Sequence, residues 1–193
     1  MIRLFRFALP AVMAAAGIAA IVEFNQSSVI AQAPRGAAAA QPIAQAMRQA
    51  WDGAKLNIKE SGDLMPEANF AFKPVDTVRT FGQILAHVAG ANYVFCAAAK
   101  GEKAPHAEDE FEKSATTRPA ILKAVGDSLA YCDAVFAAQT DKSLGEAIAM
   151  PFGMGQGTRA AALVGEVGHL NEHYGDLVTY FRIKGLVPPS SRR

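Results

Sequence analysis

The chain has 193 residues, 51% of them hydrophobic, and a formal net charge of +1. That length suits one domain with a sizeable core, and that composition argues against a disordered chain. No block of like charges occurs, which excludes the clustered basic face of a nucleic-acid binder and polybasic docking on a membrane.

The N-terminus reads "MIRLFRFALPAVMAAAGIAAIV": Arg3 and Arg6, then an apolar run from Phe7 to Val22, then polar residues and Ala31-Gln32-Ala33. This is the pattern of a secretory signal peptide over residues 1–33. The alternative is an uncleaved anchor, but Pro10, Gly17 and many alanines make a weak span. Pro34 is a poor residue to follow a cut, so the alanines from Ala37 to Ala40 offer a second cleavage point. Cleavage after Ala33 would bring the formal net charge to zero, since Arg3, Arg6 and Glu23 leave with the leader. The expectation is a periplasmic or secreted protein with no stable membrane insertion, in a compartment where disulfides persist. Residues 34–41 read as a linker of small residues, residues 42–189 as the domain and residues 190–193 as a tail.

From Pro42, apolar residues at Ile43, Met47, Ala50, Trp51, Ala54 and Ile58 recur at steps of three and four, one face of a first helix with Gly62 as its stop. Pro66 and Pro74 break up the next segment, and its Phe70 and Phe72 suggest that it packs across the domain. A second helix opens at Thr80, with Gln83 in the capping-box position. Phe81, Ile84, Leu85, Val88, Ala91, Asn92 and Phe95 form its inward stripe, His87 lies beside it, and Lys100-Gly101 ends it. The polar stretch "EKAPHAEDEFEKSATT" is long for a tight turn and can serve as a crossover that makes the third helix run parallel to the second. That third helix starts near Pro119 and presents Leu122, Val125, Leu129, Cys132 and Phe136. "MPFGMGQGT", from Met150 to Thr158, lacks the lysine and spacing of a phosphate-binding loop and reads as a plain loop. A fourth helix runs from about Thr158 to Lys184 with Leu163, Val167, Leu170, Tyr174, Leu177 and Phe181 inward, then Gly185 and Pro188-Pro189. No strand pattern stands out. Four amphipathic helices make an all-α four-helix bundle.

His169 and His173 lie four residues apart on the fourth helix, so their side chains are neighbours one turn apart. Such a pair reaches one metal ion, and a third imidazole from another helix would complete a facial set with positions left for a ligand. His87 is that third candidate; His106, beside Pro105, reads as a solvated loop residue. Core histidines with hydrogen-bond partners are the competing reading. Glu166 precedes His169 by three and is the candidate catalytic acid–base residue, or an orienting one; Asp176 follows His173 by three and could serve similarly.

The pieces "FGQILAHVAGANY" and "GHLNEHYGDLVTYFRIKGLVPP", with the tryptophan-bearing first helix, resemble the DinB-like superfamily of metal-dependent proteins over Ile43 to Pro189. The likeness is carried by His87, His169 and His173, followed by Tyr174-Gly175; many members have Arg in place of Tyr174 and Gln in place of Asp176. The resemblance implies an up-down-down-up bundle with helices two and three parallel, a divalent ion on the three histidines, and homodimers. The ion would be zinc first, with nickel, iron or manganese as alternatives. Relatives include thiol-dependent isomerases and S-transferases, though a small thiol is scarce outside the cytosol. If helices two and three run parallel, Cys96 and Cys132 lie toward the same end, and a Cys96–Cys132 disulfide is expected rather than two buried thiols. The expected function is an exported metal-dependent enzyme acting on an unknown small molecule, by transferase or hydrolase chemistry at a metal-bound thiol or water. The alternative is a non-catalytic bundle that binds metal or ligand.

Overall fold

The structure, a computed structural model, describes residues 40–192. The expected signal peptide and most of the expected linker lie outside the described residues. Within them the elements are, in order, α1 (Pro42–Leu64), α2 (Phe81–Lys100), a short α3 (Glu110–Ser114), α4 (Arg118–Ala137), a short α5 (Asp141–Leu144), strands β1 (Ala147–Ala149) and β2 (Gln156–Thr158), and α6 (Arg159–Ile183). The four long helices are the four expected from the periodicity.

Their ends follow local chemistry. Thr80 accepts from the Gln83 amide at 3.2 Å while Gln83 Oε1 accepts from the Thr80 amide at 2.9 Å, a reciprocal capping box. Thr117 and Thr158 cap α4 and α6 one way only, their side chains accepting from the Ala120 and Ala161 amides, and Gly101, at φ 77°, supplies the left-handed residue that closes α2. Gly62 is not the stop expected of it. α1 continues to Leu64, and Gly62 is buried where an added Cβ would come within 2.5 Å of Leu122 Cδ2. Its small size lets α1 and α4 approach closely. The buried face of α1 runs through Ala44, Trp51, Ala54 and Ile58, which leaves Ile43 57% exposed instead of inward.

Cross-links between helices set their directions. Gly82 meets Ile121, Asn92 bonds to Ser128, and Cys96 joins Cys132, so positions rise together and α2 runs parallel to α4. His87 and Phe95 both meet His169, and Phe81 packs on Phe181, so α6 runs opposite to α2. Gly62 meets Leu122 and the Ala44 amide donates to Asp141 Oδ1, so α1 runs opposite to α4. The Cys96–Cys132 disulfide is present, with Cα atoms 5.5 Å apart and both residues fully buried.

α2 is buried almost all round, not along the single stripe expected. The segment leading into α3 covers its outer face: an added Cβ at Gly90 would lie 1.9 Å from the Glu108 carbonyl oxygen. That segment therefore rests backbone-to-backbone on α2, one turn beyond His87. Trp51 stacks on Phe136 with ring centroids 4.5 Å apart, and its Nε1 donates to Asp133 Oδ1 at 2.7 Å. Phe70 packs edge-on against Phe81 and Phe72 against Tyr180, as their place in a proline-broken segment suggested.

The region expected to be strand-free and loop-like is instead an antiparallel hairpin, with Ala147 opposite Thr158 and Ala149 opposite Gln156. A three-residue strand is too short to leave an alternation in the sequence. Gly153 and Gly155, at φ 71° and 83°, turn its tip, where Phe152 also adopts a positive φ of 55°. Phe152 packs on Phe95, which in turn packs on His169, so the hairpin tip buttresses one side of the histidines. Among the described residues no helix is long and apolar enough to cross a membrane.

Candidate metal centre

His87 comes from α2 and His169 and His173 from the antiparallel α6, which face each other across the bundle. His87 Nε2 lies 3.2 Å from His169 Nε2, and His173 Nε2 lies 3.1 Å from that same atom. One ligand atom from each ring falls within 4.8 Å of the others. Nitrogens at about 2.0–2.1 Å from one tetrahedral ion lie roughly 3.3–3.4 Å apart, close to these spacings. His87 and His173 are buried.

The other ring nitrogens decide the tautomers. His87 Nδ1 lies 3.0 Å from Glu112 Oε1 and His173 Nδ1 lies 3.3 Å from Asp176 Oδ2. A carboxylate only accepts, so in a neutral ring each of these Nδ1 atoms carries the proton and each Nε2 presents a lone pair; at His87 Nδ1 the Glu112 contact at 3.0 Å is shorter than that of Arg79 Nη2 at 3.4 Å. His169 Nε2 sits between two lone pairs and has at most one hydrogen to offer, while its Nδ1 is buried without a partner. Protein atoms alone therefore leave lone pairs facing one another among the three Nε2 atoms, and a cation between them would accept all three. The residues fit a divalent metal.

Charge reinforces this. Arg79 donates through Nε to Glu112 Oε2 at 2.9 Å and through Nη2 to Oε1 at 3.3 Å, which fixes the carboxylate that orients His87. Burial pushes the His169 ring down to about 3, and its neighbours His173, His87 and Arg79 push the same way. His87 is lowered as well, by burial first and by Arg79 and His173 next, against an opposing pull from Glu112 and Glu108. Neutral imidazoles are the form that ligates.

Sequence reasoning brought out Asp176 and the three histidines but missed Arg79 and Glu112. Glu112 lies 25 positions from His87, on the short α3 within the crossover, and no spacing rule links the two. His106 is less solvated than expected: its Nδ1 lies 2.9 Å from Glu110 Oε1, and its ring packs on Tyr93 and Phe111.

Glu166 is fully buried in the core. With the Asn92 amide turned to satisfy its neighbours, its nitrogen donates to Glu166 Oε1 at 2.5 Å and to the Val88 carbonyl at 3.0 Å, and its oxygen accepts from Ser128. Burial raises the Glu166 carboxyl from 4.5 to about 8, so at neutral pH it is a protonated acid beneath the histidines with no access to solvent. The unfolded chain ionises Glu166 above its ordinary value while the folded chain keeps the proton to about 8. The stability it contributes is complete below about 4.5 and is lost as pH rises toward 8. Urea unfolding of the metal-free protein should show this fall, on the order of a few kcal/mol between those limits. Glu166→Gln should flatten it, and an unchanged slope in that variant would mean another group is responsible.

The DinB superfamily model matches residues 43–177. The chain belongs to the DinB superfamily. Solved structures with the same fold include a DinB-like protein from Bacillus cereus, 18% identical with a TM-score of 0.59, covering 75% of this chain and 95% of that one. A mycothiol-dependent maleylpyruvate isomerase is 16% identical with a TM-score of 0.58. That match takes in 69% of this chain but only 60% of the isomerase. A conserved protein from Enterococcus faecalis is 15% identical with a TM-score of 0.57, covering 72% of this chain and 95% of that one. At these identities the likeness is one of fold. No curated protein matches this sequence. This chain brings three histidines to one point, with the carboxylates of Glu112 and Asp176 and the Arg79 guanidinium around them.

Proposed function

We infer that this DinB-superfamily protein is a metal-dependent enzyme that holds one divalent cation on His87, His169 and His173 and acts on a small molecule beside it. The observation that carries this reading is the convergence of three Nε2 atoms, two of them aimed by carboxylates on their Nδ1 atoms. A divalent ion held there, zinc first because it takes three imidazoles and leaves a fourth tetrahedral position open, would supply a Lewis acid that lowers the proton affinity of a thiol or water.

The chain's own residues do the rest. A cleft bordered by Val78, Arg79, Ile84, His173, Asp176 and Tyr180 touches the trio through His173. Val78 and Ile84 suit an apolar part of a ligand, and Arg79 and Asp176 a polar one. Tyr180 donates its hydroxyl to the Arg79 carbonyl at 2.7 Å and so holds the backbone of that wall. Transferase or hydrolase chemistry on a small molecule suits this arrangement. Export to an oxidising compartment belongs to the same proposal, supported by the leader-like residues 1–33 and by the buried disulfide. There, water is a more available co-substrate than a small thiol. A homodimer rests on the family resemblance alone.

The test is loading with Co(II), a spectroscopic stand-in for zinc, followed by titration with azide and a small thiol. The expected result is one equivalent bound and visible bands that shift on adding either ligand. Failure to bind a stoichiometric metal would sink the reading, and bound metal whose bands no ligand moves would favour a non-catalytic bundle.

A further inference from the structure

Two carboxylates flank the His87 ring, one at each nitrogen. Glu112 sits on Nδ1 at 3.0 Å, and Glu108 Oε1 lies 3.8 Å from Nε2, the nitrogen that points at the other two histidines. These contacts are chemically different. A carboxylate on Nδ1 orients the ring. A carboxylate on the Nε2 side shares the space where that nitrogen's metal would sit. Oxygen and nitrogen ligands at about 2.0–2.2 Å from one tetrahedral ion lie roughly 3.3–3.6 Å apart, so Glu108 needs only a small side-chain movement to join the set.

Its backbone cannot wander. The Glu108 carbonyl oxygen lies where a Cβ on Gly90 would be, 1.9 Å from that position, and the Ala107 carbonyl oxygen is 3.0 Å from it. Glu110 fastens the same turn, accepting from the Ala107 amide at 3.2 Å and meeting His106 Nδ1 at 2.9 Å. Its own amide donates back to the Ala107 carbonyl. The Glu108 side chain, by contrast, is 43% exposed. A fixed backbone and a solvent-exposed carboxylate beside an open metal position make a ligand that can leave.

Charge agrees. Around the trio stand the carboxylates of Glu108, Glu112 and Asp176 and one guanidinium, Arg79. Those four side chains sum to two negative charges, which a divalent cation cancels.

We propose that Glu108 is a displaceable fourth ligand: its carboxylate closes the metal centre at rest and gives up its position when an anionic ligand arrives. The exchange of one anion for another leaves the charge of the site unchanged. This rests on the three-histidine reading above and adds a residue that the histidine pattern does not contain.

Glu108→Ala and Glu108→Gln test it, with apo-protein melting as a control that both variants fold. Zinc affinity is read by competition with a chromophoric chelator, the ligand set by the Co(II) spectrum, and access by azide titration. Glu108→Ala is expected to bind zinc about 10- to 100-fold more weakly. Both variants should show an altered Co(II) spectrum, and Glu108→Ala should take azide about tenfold more tightly than wild type because nothing competes for the position. If both variants keep the wild-type spectrum and affinities while wild type binds its metal, Glu108 is no ligand and the three-histidine reading stands. If wild type itself binds no metal, both fall. A changed spectrum with unchanged azide affinity would overturn displacement.

Discussion

Replacing His169 with alanine should weaken divalent-metal binding by more than about 100-fold, beyond what loss of an orienting partner costs, while leaving the helical fold intact. His169 is the residue through which the trio meets: its Nε2 touches that of His87 at 3.2 Å and that of His173 at 3.1 Å. Without it, two imidazoles from different helices remain, and a two-nitrogen site competes poorly with water. The fold should tolerate the change. The ring is only part-buried, and it brings into the bundle an Nδ1 with no partner. The metal-free variant should also resist acid better. The folded ring stays neutral to about 3, whereas the unfolded one takes a proton near its ordinary 6.5. The stability His169 contributes is therefore present above about 6.5 and is lost as pH falls toward 3, and alanine removes that loss. Chelator competition and circular dichroism measure the two halves. Metal affinity equal to wild type would show that the histidines are core residues.

Reduction of the Cys96–Cys132 bond is expected to cost about 4 kcal/mol, the chain-entropy value for a loop of roughly this size. The two residues are 36 positions apart and join the parallel helices α2 and α4. Much of the crossover, with Glu108 and Glu112, lies within the loop they close. In a domain of this length, a change of that size lowers Tm by about 10 °C. Melting with and without a strong reductant, together with Cys96→Ala, measures it. Because both sulfurs sit in the core, the folded protein should resist mild reductant and yield only as it opens. Equal melting temperatures for oxidised and reduced protein would show that the bond adds nothing. Intact mass before and after reduction tells whether the purified protein carries it.

What could be read in advance follows the range of the physical signal. Thr80 with Gln83, Thr117 with Pro119, and Gly185 act within one helical turn, so the long helices were legible to within a few residues. His169 and His173 share a face by helical geometry alone. Gly62 was misread because a helix-stop glycine and a glycine kept small for a neighbouring helix look alike in sequence; Leu122, on a different helix, distinguishes them. The hairpin around Met150 to Gly155 was missed because its strands are three residues long. Glu166 drew attention by its spacing from His169, and its fully buried place beside Asn92 emerged only with the packing.

By itself, the sequence determined a four-helix bundle, its helix limits to within a few residues and the family, since periodicity and capping act between neighbouring residues and the histidine pattern is written in the chain. The tertiary structure alone decided which nitrogens of the three rings converge, which carboxylates stand on either side of His87, and why residue 90 must be glycine. Those are distances between atoms far apart in the chain, set by how α2, α6 and the crossover pack, and no local spacing records them.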